Sequence, residues 1–546
     1  MMSFVARRIS HHGAIPAAFS VALIIGGVIS LLLGQDANWD LKNYHIHNPW
    51  ALLNNRAGSD IFTAGIQTYF NPLLDLPYYF LAIEWFPSSP RLVAFLMGFP
   101  AGVLLFFVWL CASEVLRAFK VDKRSVFLMT GIVVAMGMTG AATVSQWGAT
   151  FNEIQVAAMV VAGIYIIIAK IDIDKPSFKW IMSSGVCFGV AAGLKLTAAI
   201  YAPGAFLAIA IISGNLKIGI RRIVCFPIGW AVGFLLFYGW WGYHLYELTG
   251  SPIFPWFNNL FESPWVSSVI LMDNRFKPNG FVETLFYPFH WLSPKPMVVA
   301  EPIFADPRFS LAYLSFLMVG LAYILRRSGK GLKSINAFNG AGMPRQAATL
   351  MIWLVVSYVL WQLMSSILRY AVPIEVFTGL MILIGLLVIA RLLNAFNYSC
   401  WVILMLLVIC WLCAAYTQYP EWGRVGYGKQ VINVDKVDFP ENSLIIFNGP
   451  PVAYLAPFLS RNNTGVSFIG VTDELLSNRN FFLWKKVTER IREQAGGIYM
   501  VERPEQQHMR NYLPEFGLRV NQASCREYRS TIDQPFTVCE LQKISE

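Results

Sequence analysis

The stretch AIPAAFSVALIIGGVISLLLGQDANWDLKNYHIHNPW, Ala14 to Trp50, joins two chemistries without a gap. Its first part, Ala14 to Gly34, is an unbroken apolar run long enough to cross a hydrocarbon core of roughly 30 Å as a helix. Its second part places Asp40, Tyr44, His45 and His47 close behind the end of that run. Arg7 and Arg8 precede the run and no small-residue cleavage site of the A-x-A kind ends it, so a retained membrane helix is expected and not a removed signal. A helix through the second part would set Asp40 and Tyr44 one turn apart on one face. A carboxylate at a water–lipid boundary stays ionised while facing a cavity, which suits a general base.

The rest of the chain repeats the apolar theme. Of 546 residues 56% are hydrophobic and only 14% charged, against about 25% charged in soluble globular chains. Apolar blocks predict transmembrane helices near 14–34, 91–111, 125–143, 153–170, 179–196, 199–213, 223–246, 308–325, 349–368, 371–390 and 399–417, about eleven in all. The fold class expected is an α-helical polytopic membrane protein with a small C-terminal α/β domain outside the membrane. The net charge of +10 falls mostly in short loops: Lys120, Lys123 and Arg124; Lys170 and Lys175; Lys217, Arg221 and Arg222; Arg326, Arg327, Lys330, Lys333 and Arg345. Those loops read as cytoplasmic, and a nucleic-acid surface is not indicated. The opposite side then receives two long aromatic loops, 35–90 and 247–307, and the C-terminal part.

The division expected is 1–417 in the membrane with its outer loops and 418–546 outside. In the latter, NSLIIFNGPPVAYLAPFL and GVSFIGV read as short strands with a helix between them, NFFLWKKVTERIREQAGG as a helix, IYMVE as a strand and YRSTIDQPFTVCEL as a hairpin. Cys525 and Cys539 flank that hairpin. A disulfide between them fits an oxidising compartment, with two free thiols as the alternative. The other cysteines, Cys111, Cys187, Cys225, Cys400, Cys410 and Cys413, lie in or beside apolar helices as small core residues.

Charges at helix ends draw attention next. Lys195 and Arg369 are expected at the outer ends of their helices, where each can snorkel to the interface; ionisable residues inside spans are otherwise costly and tend to be functional. Glu153, opening a helix at the same depth, is a favourable N-terminal charge or a second functional carboxylate. Asp75 is expected to be structural, with orientation of its loop as the alternative, and Asp60 is expected to be a loop or cap residue. In the second long loop His290 lies among aromatics, in a segment expected to be amphipathic and to rest on the membrane. Trp256, Trp265, Tyr287 and Trp291 are expected there as interface anchors. Gly185, Gly189 and Gly193, four residues apart, mark a helix-packing face. No nucleotide-binding motif stands in a strand–turn–helix context.

Several of these stretches together resemble the GT-C superfamily of integral-membrane glycosyltransferases, which includes the protein O-mannosyltransferases and the lipid A aminoarabinose transferases. Asp40-x-x-x-Tyr44 after the first helix resembles the acidic motif of that superfamily. YFNPLLDLPYYFL (Tyr69 to Leu81) is similar to its Pro-Pro-Leu-aromatic element, and TFNEIQVAAMVVAGIY (Thr150 to Tyr165) to its second acidic loop. AAGLKLTAAIYAPG, which contains Lys195, and ILRYAVPIEV (Ile367 to Val376) resemble two later motifs, with order and membrane side in agreement over about 14–390. The resemblance implies an inverting transfer of sugar from a polyprenyl phosphate to a glycan, lipid or protein acceptor on the outer face of a bacterial inner membrane. Asp40 would be the base, and Arg369 and Lys195 would hold the leaving phosphate. Tyr44, His45, Asn71, Glu153, His290 and Tyr370 would line the substrates. The chain departs from the pattern at Phe70-Asn71-Pro72-Leu73, where several GT-C families carry Glu-Lys before Pro-Pro. The acidic partner for a divalent ion such as Mg or Mn is missing there, which leaves Asp40, His45 and Glu153 as candidate metal ligands and no cofactor assured. Two other classes are possible for such a chain. One is a transporter or flippase of lipid-linked saccharide, which would show mid-membrane charges and repeated halves; the other is an O-antigen ligase or polymerase using the 247–307 loop.

Overall fold

The structure is a computed structural model describing residues 2–170, 178–213, 216–268, 273–327, 343–392, 398–463 and 465–544. Lys175, Lys330 and Lys333, counted above among the inner-side charges, lie outside the described residues. Every apolar block forms a helix. The long ones are Met2–Leu33, Phe99–Ala118, Glu153–Lys170, Leu216–Thr249, Arg308–Arg327, Arg345–Met364 and Tyr398–Tyr416. Shorter ones, Lys123–Met138, Phe178–Leu194, Tyr201–Ile212 and Thr378–Leu392, stand between them. Among the described residues six helices are long and apolar enough to cross a membrane alone, or seven when Leu368–Glu375 and Thr378–Ala390, bent by 44°, count as one span. The chain is a multi-pass membrane protein. Its lipid-facing residues are the exposed apolar ones, such as Leu235, Leu236, Leu404 and Trp411.

The glycine series does what its spacing predicts. A Cβ on Gly185 would fall 2.2 Å from the Phe226 carbonyl oxygen, and one on Gly189 would fall 2.0 Å from that of Trp230. Phe178–Leu194 and Leu216–Thr249 therefore touch backbone to backbone. Such close approach lets a helix pair gain dispersion and weak hydrogen bonding where lipid supplies no hydrophobic drive.

One end of the bundle carries the β structure. Gln35–Asp36 (β1) pairs antiparallel with Arg424–Val425 (β2), stitching the entry of the first loop to the start of the C-terminal part. There, Leu444–Asn448 (β3), Ser467–Val471 (β4), Ile498–Glu502 (β5), Leu518–Val520 (β6), Arg526–Tyr528 (β7) and Phe536–Lys543 (β8) form one sheet. Its order is β4-β3-β5-β8-β6, with β7 also on β8. The β3–β4 and β3–β5 pairs are parallel, and helix Phe482–Arg492 lies between β4 and β5 in sequence. The hairpin is β7–β8, closed by a disulfide between Cys525 and Cys539.

The exposed edge of β4 is covered, as an edge strand requires. Ile61 accepts from Gly470 N and donates to the Phe468 carbonyl, while Asp60 Oδ1 accepts from Phe468 N at 3.0 Å. Asp60 is thus an edge cap, and its other oxygen receives the Arg56 guanidinium. Leu41, Ile46 and Trp50 of the first loop share a core with Ile445 and Phe447 of the sheet and with Tyr454 of the helical turn that follows β3. This contact is what holds the Asp40 segment in place.

The second long loop corrects one expectation. Trp265, Tyr287 and Trp291 are not interface anchors: they are 5%, 2% and 0% exposed. Trp291 packs edge-on against Phe309 and Trp361, and Trp256 stacks on Phe70 of the first loop. Aromatic spacing alone could not separate an anchor from a core wedge, since both bury most of a ring. The surface-facing residues are instead Phe281, Val282, Leu285 and Phe286 on helix Gly280–His290.

Candidate active site

Just before Asp40, two short polar side chains fix the turn. Asp36 accepts from the backbone nitrogen and hydroxyl of Thr150, each at 2.8 Å, and from the Asn38 amide. Asn38 Oδ1 in turn accepts from Leu41 N at 2.8 Å. The first loop is thereby tied to the residues that open helix Glu153–Lys170. From there the chain makes a π-helical turn over Leu41–His45. A π turn inserts one more residue than an α turn and is common at functional sites; here Asp40 and Tyr44 still face one another, the phenol donating to Asp40 Oδ2 at 3.3 Å.

Asp40 Oδ2 also accepts from Arg369 Nη1 at 2.6 Å. Arg369 lies in a 3-10 turn, Leu368–Ala371, that follows helix Arg345–Met364, and its guanidinium sits 4.8 Å over the Phe151 ring. Burial raises the Asp40 pKa, but Arg369, His45 and Lys195 together outweigh burial and leave it below the ordinary aspartate value. The carboxylate is therefore ionised at neutral pH. Lys195 follows helix Phe178–Leu194 directly; its ammonium donates to Glu153 and, at 2.8 Å, to the Phe151 carbonyl. Both Lys195 and Arg369 lie within 6 Å of the centre of the Tyr370 ring, at 5.7 and 5.8 Å. Glu153 is the first residue of its helix and the partner of Lys195.

A third pair completes the floor. His45 Nδ1 lies 2.5 Å from Asp75 Oδ1, which also accepts from Asn152 Nδ2 at 2.6 Å. His47 points away from this group and meets Asn48 and Trp50. Asn71 stands apart from the expectation of substrate contact. Its amide donates to the carbonyls of Gly193 and Phe237, at 3.0 and 2.9 Å, and its oxygen caps Leu73 N. With every polar atom engaged, Asn71 is a strut between the loop and two helices. His290 is exposed, and its ring contact is with Tyr287 and not with the Asp40 group.

The metal candidates do not share a point. Asp40 faces Arg369, His45 faces Asp75 and Glu153 faces Lys195. Among the described residues no group of three or more His, Cys, Asp or Glu converges to hold an ion. The residues present do not fit a shared divalent cation.

Sequence reasoning missed the support behind Arg369. Glu375, six residues on, is fully buried and accepts from Ala142 N, Thr143 N and Thr143 Oγ1, at 3.0, 2.7 and 2.6 Å. Asp306 accepts from Ala141 N at 3.0 Å and is paired with the fully buried Arg308. Gln146 bonds both the Ala142 and the Arg369 carbonyls. The Arg369 turn is thus bolted to the short helix Ala141–Ser145. The available signal was the spacing Arg369…Glu375 in an otherwise apolar stretch, since buried charges in membrane segments are rarely incidental.

No protein-family profile matches the chain, and no curated protein matches it. Among solved structures it is similar to ArnT from Cupriavidus metallidurans, a crystal structure bound to undecaprenyl phosphate. The identity is 13%, over 97% of this chain and 98% of that one, with a TM-score of 0.50. At that identity the likeness concerns the fold alone: this chain has an ArnT-like fold over nearly its whole length.

Proposed function

We propose that this protein is an inverting glycosyltransferase that moves a sugar from a polyprenyl-phosphate carrier to an acceptor on the outer face of a bacterial inner membrane. The observation that carries the reading is the Asp40–Arg369 pair, 2.6 Å apart, with Lys195 close enough to act on the same carboxylate. All three project from the end of the bundle that bears the sheet. The fold shared with ArnT, whose structure holds undecaprenyl phosphate, supports the donor class. The basic loops between the apolar helices support the periplasmic side. The membrane part, 1–417, would carry the chemistry, and 418–546 would brace the first loop.

The reaction needs one base and a site for a departing phosphate. Asp40 takes the proton of the acceptor hydroxyl as its oxygen attacks the anomeric carbon. The bond from that carbon to the phosphate oxygen breaks on the opposite face, and the electron pair leaves with polyprenyl phosphate. Arg369 offers a planar fork to the phosphate, and Lys195 a second positive charge. Fixed charge aimed at charge that develops in the transition state is usually the largest catalytic term. The pairing has a further consequence for timing. While Arg369 rests on Asp40 the carboxylate is a weak base; a phosphate that draws the guanidinium away raises its proton affinity. Base strength is in this way coupled to donor binding. Tyr44 holds the Asp40 oxygen in line, and Tyr370 packs beneath both cations. No step is routed through a metal.

The test is turnover by purified protein in proteoliposomes, with a polyprenyl-phosphate sugar and crude envelope glycolipid. Release of polyprenyl phosphate together with a new glycosidic product is expected. Movement of the intact donor across the bilayer without a new bond would replace this reading with a transporter.

A further inference from the structure

A cavity of about 250 Å³ has a lining that includes none of the charged groups around Asp40. Its walls come from the outer end of helix Leu216–Thr249, both long loops and the C-terminal helix Phe482–Arg492. Tyr69, Trp240, Trp241 and Trp265 supply aromatic faces, with His244 and Lys486 among them. The walls are fixed from behind: Trp241 Nε1 donates to the Tyr69 carbonyl, and Tyr69 packs edge-on to Trp265. Exposed Asn55 and Ala57 mark the mouth.

The polar groups decide the ligand. Asp60, the acid in the lining, is already bound to Arg56 and to the edge of the sheet. Lys486 is different. Its ammonium lies 4.7 Å over the Trp265 ring, and among the described residues no carboxylate lies within ion-pair distance of it. Burial lowers its pKa from the ordinary lysine value. A half-buried cation with no counter-ion is costly unless an anion completes it. Aromatic walls with a few placed polar groups are the usual make-up of a small-molecule site. The ring faces fit the C–H faces of a pyranose, and the free ammonium fits an acidic substituent on it. The volume is below the roughly 300–1,000 Å³ of pockets for drug-sized ligands, so one sugar unit of a longer chain is the fitting occupant. The cavity is linked to the reaction centre through one wall: Tyr69 precedes Phe70, whose ring lies 5.5 Å from that of Tyr44, the residue bonded to Asp40.

We propose that this aromatic cavity with Lys486 at its wall is a subsite for a sugar unit bearing a negative charge, on the acceptor side of the reaction. The word acceptor rests on the glycosyltransferase reading; the binding itself does not. The test is calorimetric titration of the full-length protein in nanodiscs with three probes: trigalacturonate, glucosamine 6-phosphate and neutral maltotriose. At least one charged probe binds ten-fold or more tightly than maltotriose, and which of the two does so assigns carboxylate or phosphate as the source. Lys486→Met abolishes the preference, Lys486→Arg keeps it, and Trp240→Ala weakens both. Asp40→Asn leaves binding intact, so a protein that binds the probe but transfers no sugar would sink the proposed activity and not this site. Equal affinity for charged and neutral probes, or an unchanged preference in a Lys486→Met protein that melts like the wild type, would overturn the proposal.

Discussion

Replacing Arg369 by alanine separates the two tasks assigned to it. In the folded protein its side chain is 18% exposed and that of Asp40 is 12% exposed. Removing one partner of a fully buried pair typically costs about 3–5 kcal/mol. Here Lys195 and His45 still act on the Asp40 carboxylate and some water reaches it, so the loss of stability should be smaller, about 2 kcal/mol. The loss of turnover should be larger. A missing fixed charge at the developing oxyanion corresponds to about 10²–10³ in rate. Arg369→Lys restores charge without the fork and should recover part of the rate. The double variant Asp40→Asn/Arg369→Ala should regain most of the stability, because no unpaired charge is left, while staying inactive; the cycle isolates the pair. Product formation in proteoliposomes and thermal melts of the same preparations supply both readings. Arg369→Ala turnover within three-fold of wild type, at matched folding, would refute the assignment.

Other consequences follow from the same geometry. The Asp40 pKa is depressed in the folded protein, so its stabilising contribution is present above the unfolded value and disappears as pH falls through the folded one. The acid limb of kcat/KM should accordingly lie below the ordinary aspartate range, whereas that of kcat, with Arg369 drawn to the donor, should lie higher; coincident limbs would argue against coupling. Glu375→Gln preserves shape but replaces one acceptor oxygen by a donor facing Ala142 N or Thr143. It should reduce turnover about ten-fold, in line with about 1–3 kcal/mol for a buried unsatisfied group, with the donor KM raised if Arg369 is displaced. Cys525→Ser opens a disulfide with a sequence separation of 14, worth about 3 kcal/mol on the chain-entropy scale. Proteolysis should then start in the β7–β8 hairpin while the membrane part stays intact.

Legibility in the sequence differed by element. The helices were readable because a membrane imposes a length and a composition on each of them. Gly185 and Gly189 were readable from a spacing with one geometric meaning, and the contact of Asp40 with Tyr44 from their four-residue offset. Pairing across the chain was not readable. Nothing local says that Arg369 reaches back to Asp40 or that Glu153 meets Lys195. Asn71 looked free for substrate because its two carbonyl partners, Gly193 and Phe237, come from distant helices. Trp265 and Trp291 were misjudged for the same reason: amphipathic rings serve a membrane surface and a core equally, and only the tertiary neighbours decide. The Asp306–Arg308 pair was passed over because a charge at a loop end normally reads as solvated.

The most direct test of the central claim compares wild type and Asp40→Asn in single turnover with a labelled polyprenyl-phosphate sugar, with donor binding measured in parallel. Asn keeps the size of the side chain and cannot accept the acceptor's proton. Glycosyl transfer should fall about 10²–10⁴-fold, the contribution of a positioned base, while donor affinity stays within a few-fold or tightens as Arg369 is released. Transfer at the wild-type rate, or loss of donor binding with the transfer rate of bound donor unchanged, would contradict the account.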